Sequence, residues 1–421
     1  MTRFDAVFLF AVLGFPNRPV QSQAQDSAAA VGARRLDSLL RAGARRLSFA
    51  DGRLTGDGGT FLFDEISKAQ FVAIGERHDV REIPRLVAAI LDEGRRRYGF
   101  THLATENGES ITRLVAIPGA RCADTVLSVA RHYPNAFEFG SDEDLDLVAN
   151  ACGTLGHGPA SVWGLDQEFS AGFFFDRLSK TTPSSARSLL DSLKQAAAAA
   201  ESRRVGSSGG RHWMGLDADA ATLERLVALY PAAARSERAI LGALDTSARI
   251  YTLNRLAGRG QLTAFTANDE RETKMKSAFM THYRRAVEAG EAAPKVVVKM
   301  GSAHLGRGQS PFGPFTVGNF LSDLAQSNGR RSFHFLALAQ NDKADSTRPA
   351  LWAWGALRPI ADIVPTDETT IIDLRPLRPF LYSRRLGTVQ ADLSRFIYGY
   401  DAIVIIGGAN NASETIVRSR Q

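Results

Sequence analysis

At 421 residues, 44% of them hydrophobic, the chain suffices for one large domain or two ordinary ones and can bury a sizeable core, which excludes an intrinsically disordered protein. The net charge of +6 is mild, and the arginines are spread along the chain with no basic stripe interleaved with aromatics, which argues against a nucleic-acid-binding face. No apolar run is long enough to span a bilayer.

Residues 1–24 read as a removable export signal. Arg3 precedes an apolar stretch at 6–15, and Ser22-Gln23-Ala24 has the small-x-small pattern of a cleavage site, with Asp5 and Pro16 as departures from it. Without them, 49 basic and 44 acidic residues leave +5, and the expectation is a secreted or periplasmic protein. Cys122 and Cys152 fit one disulfide in an oxidising compartment, or two buried thiols. Residues 25–67 form a polar, Gly-rich lead-in with a helical segment at 36–47 and turns at Asp51-Gly52 and Asp57-Gly58-Gly59.

Residues 68–183 read as the first half of an α/β domain. Phe71-Val72-Ala73-Ile74 is a buried-strand run, and from Ile83 onward Leu86, Val87, Ile90 and Leu91 fall at helical spacing. Between them Gly75 ends the strand, and Glu76, Arg77 and His78 occupy the strand-to-helix turn. In a parallel sheet that turn lies at the carboxyl edge, where ligands bind. A second short strand at 102–105 ends on Glu106, and a third at 161–165 ends on Asp166. Residues 184–260 change character: an Ala-rich helix, a Gly206–Gly210 spacer and two amphipathic helices around Pro231 suggest a helical insertion.

Residues 261–421 form the second half. Asn268 or Asp269 is the expected N-cap of a long helix, with Glu270 and Glu272 in its first turn. Val296-Val297-Val298 is the most strand-like run in the chain and leads into Gly301-Ser302-Ala303-His304. A helix at 317–326 and strands at 333–338, 370–374 and 402–406 complete the pattern. The expected fold is α/β: a mostly parallel central sheet flanked by helices, with a helical insertion. A local device repeats: Gly-x-x-His stands after a buried strand at Gly75 and again at Gly301.

Four strands therefore end on ionisable side chains, Glu76 with His78, Glu106, Asp166 and His304, and parallel strands gather such ends into one crevice. Imidazoles beside carboxylates suit general acid–base hydrolysis of a small-molecule or peptide ester, lactone or amide. His78 is then the base on water, Glu76 its orienter, and His304 with Glu106 the assistants of the leaving group or developing charge. The same donors, His78, His304 and Glu76, could hold a divalent metal. Structural readings compete: a lone histidine is often simply hydrogen-bonded, and Gln167 and Glu168 rival Asp166. Gly206-Ser207-Ser208-Gly209-Gly210 matches a nucleophile-elbow pattern but lacks the preceding strand. Gly407-Gly408 reads as a tight turn, and the other histidines as core or surface residues.

From 71 to 406 the chain resembles the superfamily that groups erythromycin esterase-like hydrolases, ChaN-type haem-binding lipoproteins and Tiki metalloproteases. AIGERHDVREIPRLVAAIL is similar to its opening strand and helix, LATENG to its second carboxylate strand, VWGLDQ to the strand ending in Gly-x-Asp, and VVVKMGSAHL to its closing Gly-x-x-His. NDERETKMKSAFM is similar to the Arg-containing helix of the esterase-like members. The resemblance implies Glu76, His78, Glu106 and His304 at the site, with Arg271 binding substrate or stabilising an anion. Arg77, which replaces the esterases' small residue and Thr, resembles the ChaN branch, and that branch implies a haem- or iron-binding protein as the alternative. An Arg77–Glu106 pair filling the pocket would mark a scaffold without chemistry.

Overall fold

The computed structural model describes residues 20–418 apart from 51, 117–120, 134, 139, 155–160, 203–212, 342–354 and 388. Most of the stretch expected to be an export signal, the Gly206–Gly210 spacer with Ser208, and two histidines, His157 and His212, lie outside the described residues. The strands are β1 (Ala44–Arg46), β2 (Ser48–Ala50), β3 (Arg53–Thr55), β4 (Ala69–Glu76), β5 (His102–Gly108), β6 (Val162–Asp166), β7 (Val296–Gly301), β8 (Arg331–Ala339), β9 (Thr370–Asp373) and β10 (Ala402–Ile406). Eight of them form one sheet in the order β1-β9-β10-β8-β4-β7-β5-β6, and β2 with β3 makes a separate hairpin. Every pairing from β10 to β6 is parallel, and the β9–β10 and β1–β9 pairs close one edge antiparallel.

The central strands are near-continuous apolar runs because helices cover both sides of the sheet. Along β4, Phe71 and Ala73 pack into one cluster while Val72 and Ile74 pack into the other. The first crossover helix, Glu82–Tyr98, buries Ile83, Leu86, Val87, Ile90 and Leu91 and sets Arg95, Arg96 and Arg97 in its last turn, against the negative end of its dipole. On the opposite face the Ala264–Glu288 helix buries Met275 and Phe279, the latter edge-on to Phe71 at 5.5 Å and to Trp163 at 5.3 Å. No helix among the described residues is long and apolar enough to cross a membrane.

Three local expectations need correction. The lead-in helix is Val20–Gly43 and stops before Leu47, because residues 44–46 hydrogen-bond to β9 at the sheet edge. Asp57, Gly58 and Gly59 open the helix Gly56–Ser67, with both glycines buried against the backbone of the Arg46 to Leu54 segment. The N-cap of the long helix is Thr263, whose Oγ1 accepts from Thr266 N at 3.4 Å. Its opening turn exposes Phe265, so no apolar periodicity betrays the start. Gly407-Gly408 is a tight turn, as expected, and Cys122 and Cys152 are joined in a disulfide.

Candidate active site

Because β4, β7, β5 and β6 are adjacent, their carboxyl ends form one continuous rim. Register sets Glu76 beside Gly301 and Thr105 beside Lys299. Glu76, Glu106, Asp166 and the turn bearing His304 thus meet, as the strand-end pattern requires.

Glu106 lies at the centre. Its Oε2 accepts from Gly301 N at 2.6 Å, and its Oε1 accepts from Arg271 Nη2 at 2.9 Å and lies 3.5 Å from His304 Nε2. Burial opposes ionisation of this carboxyl, but the positive charges of His304, Arg271 and His78 outweigh it and hold the pKa at about 2. Arg271 also donates through Nε to Asp166 Oδ1 at 3.1 Å and through Nη2 to Asp166 Oδ2 at 2.5 Å. Asp166 is fully buried and faces Arg271 instead of the solvent, so it positions the guanidinium.

The two histidines are held differently. His304 is buried, with Nδ1 2.6 Å from Glu272 Oε1, and Glu272 Oε2 accepts from Val317 N at 2.8 Å. Burial disfavours its charged form, yet Glu106 and Glu272 raise its pKa above the ordinary imidazole value. His78 keeps 36% of its side chain exposed, and its Nδ1 lies 3.0 Å from Glu76 Oε1. Its pKa is also raised, since the bond to Glu76 and the charges of Glu106 and Glu76 overcome its burial. Glu76 is anchored from below by Lys299 Nζ at 2.6 Å, and Lys299 reaches Asp144 Oδ1 at 2.7 Å. Within this buried set, desolvation is overcome at Glu76, which Lys299 holds below the usual carboxylate range, and wins at Asp144, which is pushed up.

Both glycines of the repeated device serve close approach. A Cβ on Gly301 would lie 2.8 Å from His78 Nε2 and 3.3 Å from Glu106 Oε2, so the first imidazole and the central carboxylate meet across its bare α-carbon. A Cβ on Gly75 would lie 2.8 Å from Tyr400 Cε1, and the Tyr400 hydroxyl donates to Ser302 O at 2.7 Å. The first glycine therefore makes room for the ring that ties down the second turn.

Sequence reasoning missed Lys299, Asp144, Glu272, Glu138 and Tyr251. Lys299 carried a signal, a lone charge inside VVVKMG, where every residue is buried. Glu272 did too: it shares the buried helical stripe of Met275, Phe279 and Tyr283. Glu138 and Tyr251 sit in a turn and on the helix Arg235–Gly258, and no local pattern marks them; each lies in the electrostatic field of Asp166 and Arg271.

Arg77 is half-buried, and its backbone N donates to Ala337 O at 3.2 Å. Glu106 takes Arg271 as its ion-pair partner among the described residues, so the Arg77–Glu106 scaffold signature is not formed. Among the described residues no group of three His, Cys, Asp or Glu side chains converges as a metal site, and the Lys299 ammonium already neutralises Glu76 while Glu272 occupies His304. Both ring nitrogens of His304 have protein neighbours: Nδ1 lies 2.6 Å from Glu272 Oε1 and Nε2 lies 3.4 Å from Arg271 Nη1. Glu168, the local rival of Asp166, instead accepts from Ser110 N and Ile111 N at the start of a helix. His102, His282 and His334 are buried structural residues, and His132 is on the surface.

No protein-family model matches the sequence, and no curated protein matches it. Solved structures do. A succinoglycan biosynthesis protein aligns with 91% of this chain and 98% of its own at 12% identity and a TM-score of 0.53. The erythromycin esterase EreC, solved as a mutant in an open conformation, aligns over 85% and 96% at 12% identity and 0.53. A Bacillus cereus protein aligns over 90% and 98% at 14% identity and 0.50. The chain has the fold of these proteins, the fold that the sequence resemblance implied.

Proposed function

We propose that the protein is a hydrolase that cleaves an ester, lactone or amide with a water molecule activated by His78. One observation carries the proposal: at the carboxyl edge, a half-exposed imidazole is paired through Nδ1 at 3.0 Å with a buried carboxylate that Lys299 anchors. With Nδ1–H directed to Glu76, the neutral ring carries its lone pair on Nε2. Nε2 takes a proton from water as the water oxygen attacks the carbonyl carbon. The carbonyl oxygen becomes an alkoxide, and its charge is met by Arg271 with His304 beside it. Collapse of the tetrahedral species breaks the bond to the alcohol or amine, which leaves with a proton. Glu106 and Asp166 hold Arg271 in place, and Glu272 holds His304.

The fold shared with an erythromycin esterase supports the ester-cleaving reading. Export is part of the same proposal: the Cys122–Cys152 bond suits an oxidising compartment. The test is turnover of a panel of esters, lactones and peptides by wild type and by His78→Ala. Equal rates for the two proteins would end the proposal.

A further inference from the structure

The residue after His78 is Asp79, whose φ of 62° lies in the left-handed region, where a residue with a side chain is uncommon. Such a backbone persists only where its surroundings hold it. Beyond β10 the chain returns across this turn: Ala412 N donates to Asp79 O at 3.0 Å, Val80 and Asn411 form an antiparallel bridge, and Arg81 N donates to Asn410 O at 3.0 Å. Asn410 also donates through N and Nδ2 to the carboxylate of Glu82 at 3.0 and 2.9 Å, at the start of the helix Glu82–Tyr98. The far end of the segment is fastened to the first turn of the helix Asp142–Thr154. Ser413 N and Oγ donate to Glu143 at 2.9 and 3.0 Å, and Thr415 N and Ile416 N donate to Asp142 at 3.0 and 2.8 Å. Glu143 is buried, with Oε1 3.2 Å from Arg81 Nε, and the next residue, Asp144, holds Lys299 and through it Glu76. One helical turn thus reaches the His78 turn by two routes.

We propose that residues 410–416 are a positioning strap for His78: they fix the backbone on which the ring stands, so that Nδ1 stays on Glu76 and Nε2 stays free for water. The inference rests on the hydrolase reading. With 36% of the His78 side chain exposed, the aim of the ring depends on the backbone beneath it. A general base works only within hydrogen-bond reach of its proton, and a displacement of about 1 Å can lower a rate by about 10²-fold. The bonds from the strap to Asp79 and Arg81 run between main-chain atoms, so no side-chain motif announces them.

The experiment uses Ala412→Pro, which deletes the N–H that reaches Asp79 O, and Ala412→Ser, which keeps it. Neither alters a charge. The charged groups that act on His78, namely Glu76, Glu106, Lys299 and Glu138, are the same in both variants, so a change in the ring's titration reports a change in its position. The His78 ring is followed by NMR over a pH series, with His78→Ala to assign its signal, and turnover of the ester panel is measured alongside. Ala412→Pro is expected to move the titration midpoint to lower pH, toward the ordinary imidazole value, because the ring leaves Glu76. It should also lower kcat about tenfold with KM within about twofold, while Ala412→Ser matches wild type in both. An unmoved midpoint in Ala412→Pro, or the same shift in Ala412→Ser, overturns the strap, whatever happens to thermal unfolding. Should Ala412→Pro fail to fold, Ser413→Ala loses only the hydroxyl bonds to Glu143 and Arg81 and should shift the midpoint in the same direction by less; no shift there also overturns it. If His78→Ala abolishes turnover and the midpoint does not move, the hydrolase reading stands and the strap falls alone. If wild type is inert toward the panel, or His78→Ala matches it, the reading itself fails.

Discussion

The two Gly-x-x-His turns share four letters of spacing, yet the structure holds their imidazoles differently. His78 finds its carboxylate two residues away, on the last residue of β4, and 36% of its side chain is exposed. His304 sits in the short helix Ser302–Leu305 with 6% exposed, and its carboxylate, Glu272, comes from another helix thirty-two residues earlier. The first arrangement leaves an imidazole partly open to solvent at the carboxyl edge, and the second holds one buried beside Glu106 and Arg271. In the proposed mechanism, partner distance along the chain and solvent access separate the residue that reacts from the one that stabilises.

The sharpest way to break this contrast is to remove each ring in turn. His78→Ala should lower kcat by about 10²–10⁴-fold with little change in thermal unfolding, the size of a general base. His304→Ala should lower activity and stability together, since it strands Glu272 in the core. Equal stability losses in both variants would erase the distinction.

Next in size is the buried support of the first turn. Lys299→Met leaves Glu76 and Asp144 without their cation and should cost about 3–5 kcal/mol in urea unfolding. The matching support of the second turn is one charged hydrogen bond. Glu272→Gln should cost about 1.5–3 kcal/mol and slow turnover through a loosened His304.

The smaller effects concern pH. A folded-state pKa raised above 6.5 means that the base form of His78 accumulates only above that value, so kcat/KM should rise with pH through it. Glu76→Gln removes the charge and weakens the hydrogen bond that together raise it, and the rising limb should move to lower pH. The carboxyl of Glu106 is depressed from 4.5 to about 2, so its stabilisation is present above 4.5 and is lost as pH falls from there toward 2. The stability gap between wild type and Glu106→Gln should close over that window in acid unfolding.

Several features were legible from the chain because their causes are local. Continuous apolar runs announced buried parallel strands, helical spacing after Ile83 announced the crossover, and four strands ending on charge announced a rim. The His78–Glu76 pair lies within three residues at the end of β4 and could be read from its letters. Even Lys299 and Glu272 left a trace, as charges on faces that the apolar pattern marks as buried. The sequence by itself thus determined the sheet, the edge that carries the site and the residues at the strand ends. Only the tertiary structure decided what each of them touches. Glu106 is bound to Arg271 and not to Arg77, Asp166 serves the arginine, and Glu272 reaches His304 from another helix. The physical reason is that secondary structure follows from spacing along a few residues. Burial, charge and the pKa of a group depend on neighbours that the fold brings from anywhere in the chain.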